Sequence, residues 1–327
     1  MLCPEKLLNF IKAGDKFLVA GHKEPDADCI GSQLALASAL QRMEKEVILC
    51  SAGPFRRTEV KSFEQFFLSA PTEKDRDGAN VIILDCFSLD RTGTLEPHLE
   101  GLPIAVVDHH IFDAGEQNPD CICFIDTNAP STTFLVKKLI AALGLELTKA
   151  EAEYLFLGLC TDTGFFRHVD GEGAQTFDAA ASLIRSGANP KVAYSAMYGG
   201  KTLDSRKLLG HILIKAESHF NAKLILVCME YEDFCRLGLE NRSSDTVYQL
   251  LQAVNGVEVI VLVREEAPGK CSVGLRSSSW VDVSNIAGVF GGGGHKNAAG
   301  FRYEGNIAEL KSKIMLAFQN ILSTSGS

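Results

Sequence analysis

Along the first half of the chain, short apolar runs alternate with longer segments of helical period. Lys16–Ala20, Val47–Cys50, Val81–Leu84 and Ile104–Val107 are apolar almost throughout, as strands covered on both faces are. Between them, Cys29–Met43 and the stretch near Val60–Leu68 repeat apolar positions at helix spacing. This order predicts an α/β domain built on a parallel sheet with helices on both faces. After Cys121–Ile125 the pattern turns helical. Ser131–Leu143 opens with a hydroxyl N-cap behind Pro130, and Thr148–Cys160 opens with the capping-box pattern TKAE. Helical pattern continues to about Leu213, broken by SGANP at Ser186–Pro190. Strand-like runs return at Lys223–Met229, Val257–Val263 and Cys271–Leu275, with helices near Ser243–Val254 and Ile307–Ile321. The pattern therefore predicts a catalytic-size domain over 1–190, a helical connector over 191–213 and a smaller α/β domain over 214–327.

Composition narrows what such a chain does. Its 327 residues, 46% hydrophobic and 22% charged, suit two globular domains and exclude a collagen-like, coiled-coil or disordered chain. The formal net charge of −9 argues against a global grip on long duplex nucleic acid. An anionic substrate stays compatible, because bound cations or a local basic patch reverse the field within a cleft. The amino terminus interrupts its apolar residues with Glu5, Lys6, Asn9 and Lys12, so it makes no secretory core, and no apolar run is long enough to span a membrane. Ten scattered cysteines without a CxxC pair read as reduced residues of the core, and the expected compartment is the cytoplasm.

Candidate chemistry gathers at the ends of the apolar runs. The first ends in GHKEPDADCIGS, which places His22, Asp26 and Asp28 in seven residues between a strand and a helix. The run VIIL delivers Asp85, and PIAVV delivers Asp108, His109 and His110. LGLCTDTGFF places Asp162 where a helix pattern gives way to glycine. In an open α/β sheet these positions share the carboxyl edge, where ligands bind. Carboxylates and imidazoles crowded there repel and desolvate one another unless a cation neutralises them. A set of oxygen and nitrogen donors without a thiolate suits Mn²⁺ or Mg²⁺ better than structural zinc, and it is too large for one ion. Two ions would clamp the attacking and leaving oxygens of a phosphoryl transfer. Near the carboxyl terminus, Gly291–Gly294 before His295 and Lys296 free the backbone to approach an anionic ligand.

With these residues in place the sequence resembles the DHH phosphoesterase superfamily, and within it the nanoRNase and pAp-phosphatase-like branch with a DHH-associated carboxyl-terminal domain. The likeness runs through HKEPDADCIGS, ILDC, VDHH, STTFLV, GLCTDTGFF, GLRSSS and FGGGGHKNAAGF. It implies that His22 and Asp26 hold one Mn²⁺, that Asp28, His109 and Asp162 hold the other, and that Asp85 bridges them. His110 would face the scissile phosphate, with Asp108 orienting the histidines. Arg276, Ser277, Gly292, Gly293, Gly294 and His295 would bind the nucleotide, and Arg91 falls where relatives often carry an arginine. Arg264 and Lys296 stay open between a substrate role and a surface one. One departure is that the DHH triplet runs on into Ile111, Phe112 and Asp113, where many relatives have a small residue and an asparagine.

The implied activity is hydrolysis of short nucleotides by a metal-bound hydroxide: oligoribonucleotides of a few residues, pAp, or linear and cyclic dinucleotides such as pApA. The implied partners are short RNA or a small nucleotide, without long duplex or membrane, and a homodimer is left open. Two alternatives remain. An inorganic pyrophosphatase or exopolyphosphatase would share the metal core but not the GLRSSS and GGGGH pairing. A nucleotide-binding sensor that has lost catalysis would show broken ligand positions, whereas every ligand type is present here.

Overall fold

Strands buried on both faces need helices above and below, and the first unit of the chain supplies them. The computed structural model describes residues 2–110, 122–171, 173–237 and 244–323. Ile111, Phe112, Asp113 and Cys121 lie outside these residues. The chain divides into two compact units between Gly200 and Lys201. This point falls within the stretch read from sequence as the connector.

In the first unit the order is α1 (Glu5–Ala13), β1 (Lys16–Gly21), α2 (Ala27–Arg42), β2 (Glu46–Cys50), α3 (Glu73–Arg76), β3 (Asn80–Leu84), α4 (Glu96–Leu99), β4 (Ile104–Asp108), β5 (Ile122–Ile125), α5 (Thr132–Ala142), α6 (Lys149–Asp162), α7 (Ala174–Arg185) and α8 (Pro190–Tyr198). Five strands form one parallel sheet in the order β2-β1-β3-β4-β5. One face, with Phe17, Val19, Ile82, Leu84, Val107 and Phe124, packs on α2, α5 and α6. The other, with Leu18, Ala20, Ile83 and Val106, is covered by shorter segments that include Leu95 and Leu99. The segment read as a helix near Val60–Leu68 is instead a 3₁₀ turn over Lys61–Phe66 with no buried residue, so no core face fixes it as an α-helix.

Helices α2 and α6 make the closest helix pair, and glycine makes it close. A Cβ on Gly158 would lie 2.5 Å from the Thr133 methyl and 2.9 Å from the Asp28 Cα. Gly158→Ala is therefore expected to destabilise the protein by about 1–3 kcal/mol through overpacking, read as a lowered thermal midpoint. An unchanged midpoint would mean that the helices separate freely.

The second unit comprises α9 (Leu203–Ile214), β6 (Ala216–His219), β7 (Leu224–Met229), α10 (Tyr231–Leu237), α11 (Ser244–Gln252), β8 (Val259–Ala267), β9 (Lys270–Ser277), α12 (Val283–Val289), β10 (Gly293–His295), β11 (Ala298–Glu304) and α13 (Ile307–Leu322). Its six strands form a mixed sheet in the order β10-β11-β9-β8-β7-β6, antiparallel except between β7 and β8. One face packs Val261, Val273, Leu275 and Phe301 with Ile286, Ile314 and Phe318. The other packs Ile260 and Leu262 with Leu208, Ile212, Val247 and Tyr248. No helix among the described residues is long and apolar enough to cross a membrane.

Candidate functional site

The first sheet turns back in strand order between β1 and β3, and ligands of open α/β sheets bind in the crevice at the carboxyl end of that point. His22 directly follows β1 and Asp85 directly follows β3. Asp108 ends β4 in the neighbouring position and His109 follows it, and Asp162 is the last residue of α6.

Each imidazole of the cluster is aimed by its other nitrogen. His22 Nδ1 donates to the Lys23 carbonyl at 2.8 Å, which leaves Nε2 3.4 Å from Asp85 and 3.8 Å from Asp26. His109 Nδ1 donates to the Ala129 carbonyl at 3.2 Å, which leaves Nε2 3.0 Å from Asp162, 3.8 Å from Asp85 and 3.9 Å from Asp28. A carbonyl only accepts, so both Nε2 atoms carry a lone pair toward the carboxylates in the neutral tautomer. His110 differs. Its Nδ1 bonds Asp108 Oδ1 at 2.8 Å, and its half-exposed ring turns Nε2 away from that carboxylate. The same Asp108 oxygen also accepts the His109 and His110 backbone N–H groups.

The carboxylates are held just as firmly. Asp28, fully buried, accepts from the Thr132 N–H at 2.6 Å, the Thr133 N–H at 2.9 Å and the Thr133 hydroxyl at 2.7 Å. It thus sits on the amino terminus of α5, where the helix dipole favours an anion. Asp85 accepts from the Thr132 hydroxyl at 2.9 Å, and its φ of 63° places it in the left-handed region. Asp26 caps α2 through the Asp28 and Cys29 N–H groups, and Arg57 approaches its other oxygen at 3.8 Å.

The proton equilibria show what this cluster needs. Burial, together with the charges of Asp85 and Asp162, pushes the Asp28 carboxyl well above its usual range, and burial likewise raises Asp162. Burial opposes charge on His109, but Asp162 and Asp85 outweigh it and lift the imidazole to about 9. His22 is raised as well, burial being overcome by Cys29, Asp26 and Asp85, while Asp108 raises His110. Positive charge is drawn in wherever a proton can supply it. Asp26 moves the other way, to about 2, as His22 and Arg57 outweigh its burial.

Among the described residues, three overlapping groups have donor atoms close enough to hold a metal ion: Asp28, His109 and Asp162; Asp85, His109 and His110; and His22, Cys29 and Asp85. The donor chemistry fits divalent cations, and His109 Nε2 is buried without a hydrogen-bond partner despite its short distance to Asp162. Asp85 belongs to two of the groups, whereas Asp26 belongs to none of them and, of their members' side chains, pairs with His22 at 3.8 Å. Cys29 is the donor that the sequence reading treated as core. It is fully buried, but its place in the first turn of α2, one residue past Asp28, turns its sulfur to the cluster. Arg91 is exposed, and its carbonyl accepts from the Lys23 N–H at 2.8 Å, tying down the loop after β1.

Apart from Arg91, the residues expected to bind nucleotide belong to the second unit. The Arg276 guanidinium stacks 4.6 Å over the Tyr248 ring and donates to the Leu275 carbonyl. Ser277 is buried, and its hydroxyl donates to Glu258 at 2.9 Å. The Glu258 carboxylate also accepts from Ser279, Trp280 and Val281, so it organises the whole turn after β9, a role no sequence motif announced. Burial alone would raise Glu258, but these donors hold it below the usual range. Gly293, Gly294 and His295 all pair with β11 as an exposed edge strand, and Gly292 precedes it with its N–H donating to the Ala287 carbonyl. Lys296 is also exposed and accepts through its carbonyl from the Val283 N–H, and Arg264 donates to the Ser272 hydroxyl at 2.9 Å.

Residues 16–159 match the DHH family N-terminal domain, and residues 221–321 match the DHHA1 domain. The chain is 30% identical over 311 residues to the bifunctional oligoribonuclease and PAP phosphatase NrnA of Thermus thermophilus, covering 94% of this chain and 90% of that protein. It is 27% identical to the cyclic-di-AMP phosphodiesterase GdpP of Geobacillus thermodenitrificans, covering 96% of this chain but only 49% of the relative. The crystal structure of an exopolyphosphatase-related protein from Bacteroides fragilis superposes with a TM-score of 0.80 at 21% identity, covering 97% of this chain and 96% of that one, which establishes the shared fold. With a full-length relative at this identity, and the two domain matches in their expected order, the chain belongs to the DHH family of phosphoesterases, in the branch that carries a DHHA1 domain.

Proposed function

We propose that this protein hydrolyses short nucleotides, namely oligoribonucleotides of a few residues, pAp and dinucleotides such as pApA, using two divalent ions, with Mn²⁺ the preferred one. The observation that carries this reading is the convergence of Asp28, Asp85, His109 and Asp162 on one edge of the sheet, with the imidazole lone pair aimed inward. Asp28, His109 and Asp162 would hold one ion, His22 and Asp26 the other, with Asp85 shared between them. Bound there, divalent ions acidify water and neutralise charge on the phosphate oxygens.

The chain's own groups do the rest. The Nδ1 atoms of His22 and His109 stay on backbone carbonyls, so their rings keep one orientation through a catalytic cycle. Asp108 fixes the His110 tautomer and favours its charged form, so Nε2–H is a donor suited to a phosphate oxygen or a departing alkoxide. Arg276 and His295 supply recognition of the nucleotide from the second unit. The full-length likeness to an enzyme named for oligoribonuclease and PAP phosphatase activity supports this substrate range, and the likeness to GdpP supports dinucleotides. Free, mostly buried cysteines among the described residues support a cytoplasmic setting.

The test is purified protein with Mn²⁺ against pAp, pApA, cyclic di-AMP, a ladder of short RNAs and pyrophosphate. Release of mononucleotide or phosphate from pAp, pApA and RNAs of two to five residues is expected. Turnover of pyrophosphate alone would overturn the nucleotide assignment, and binding without turnover would overturn the enzymatic one.

A further inference from the structure

The register of the second sheet puts an unusual set of side chains on one face. Residues directly opposite one another in a sheet point to the same side. Arg264 pairs with Ser272, and Ser272 with Arg302. One row along, Leu262 pairs with Gly274 and Gly274 with Gly300; a further row pairs Ile260 with Arg276 and Arg276 with Ala298. Over Ile260 and Leu262 this face is closed by the apolar cluster that contains Val247 and Tyr248. Over β9 and β11 it opens into a cavity of about 640 Å³ lined by Arg264, Ser272, Gly274, Arg276, Gly300 and Arg302. The Tyr248 hydroxyl lies over the peptide at Gly274, Gly300 adds no side chain to the floor, and three guanidinium groups line the walls. No carboxylate occurs among its described lining residues, in a chain whose net charge is −9.

Arg276 stands four residue steps along β9 from Ser272, about 13 Å on an extended strand. A single phosphate held at Arg276 therefore leaves the Arg264 and Arg302 end of the cavity for another anionic group. We propose that Arg264 and Arg302 form a second phosphate subsite, which holds a phosphodiester of a single-stranded oligonucleotide other than the one held at Arg276. Guanidinium groups grip such phosphates in forked, bidentate fashion. This rests on the proposed nucleotide reading and sharpens it: substrates with several phosphodiesters gain from the subsite, while a mononucleotide such as pAp has little to place there.

The experiment uses the full chain carrying Arg302→Gln or Arg302→Glu, the first removing and the second reversing the charge of an exposed strand residue. Binding of a fluorescent five-residue RNA is measured with chelator present, across a salt series, so that turnover does not intervene. For Arg302→Gln the slope of log K against log salt should become shallower by about 0.7, the value for one phosphate contact on a single strand. Affinity for the five-residue RNA should fall about tenfold, and further for Arg302→Glu, while affinity for pAp changes less than about twofold. With Mn²⁺, the preference in kcat/KM for five-residue RNA over pAp should narrow by the same tenfold. Equal losses on both ligands, or an unaltered salt slope, would overturn the subsite and leave the nucleotide reading standing. A wild-type chain that binds the RNA but cleaves neither ligand overturns the enzymatic reading alone, and one that binds no RNA overturns both.

Discussion

Asp85→Asn should abolish hydrolysis while leaving the fold intact. Asparagine adopts the left-handed backbone that a φ of 63° requires, and its carbonyl oxygen still accepts from the Thr132 hydroxyl. What disappears is the charge shared between two donor groups. Turnover with Mn²⁺ should fall at least about 10³-fold, about 4 kcal/mol of barrier, together with the bound metal content. The metal-free variant should at the same time melt higher than its parent, because the Asp85 charge is among the causes that raise Asp28 and Asp162. A merely damaged protein would not become more stable as it lost activity. Retention of more than about a tenth of the parental rate, about 1.4 kcal/mol, would show that Asp85 is not shared by the ions.

Metal-free protein should lose stability as pH rises from about 5 to 9, and divalent ions should reverse that trend. Asp28 and Asp162 titrate above their unfolded values of about 3.9, and His109 titrates at about 9 against about 6.5 unfolded. A group raised on folding contributes stability that is fully present below its unfolded value and is lost as pH climbs through the folded one. His22 and His110 shift in the same sense. Asp26 has the opposite sign, since its folded value is about 2, but that contribution changes only below about pH 4. Its effect lies outside the interval. With chelator the melting temperature should thus fall by at least about 5 °C across this range. Metal binds deprotonated donors, so the gap between metal-loaded and chelated protein should widen with pH. A chelated protein whose melting temperature is flat or rises with pH would show that the cluster does not carry the repulsion described.

Much of this arrangement is legible in the chain, for reasons tied to particular residues. The strands of the first sheet stand out because both of their faces are covered, so the apolar runs Lys16–Ala20 and Val81–Leu84 fall within the strands Lys16–Gly21 and Asn80–Leu84. Ser131 and Thr148 announce their helices because each hydroxyl accepts an orphan N–H at the helix start, from Phe134 and Glu151 respectively. The strand Ala216–His219 escapes the pattern, which offers no element between Leu213 and Lys223, because AESH lies at a sheet edge and buries no side chain. The strand Gly293–His295 has almost no side chains to form a pattern and exists through its pairing with β11. In the candidate centre, the residue types and their delivery from strand ends could be read directly. The grip of the Thr132 and Thr133 N–H groups on Asp28 could not, since 104 and 105 residues separate the partners. Cys29 was read correctly as buried, but burial alone did not reveal that its neighbours are His22 and Asp85.

That same separation sets when the centre comes into being. Its donors extend from His22 to Asp162, on elements that meet only when β1, β3, β4 and α6 are docked. Contacts of such long range are closed late, after the entropy of long loops has been overcome. A cation then has no preorganised partner in the unfolded chain or in early collapsed forms, and its binding energy is gained on the native side of the barrier. Divalent ions should accordingly slow unfolding while leaving the folding rate nearly as it is, so the persistence of the folded chain in a cell becomes a function of metal supply.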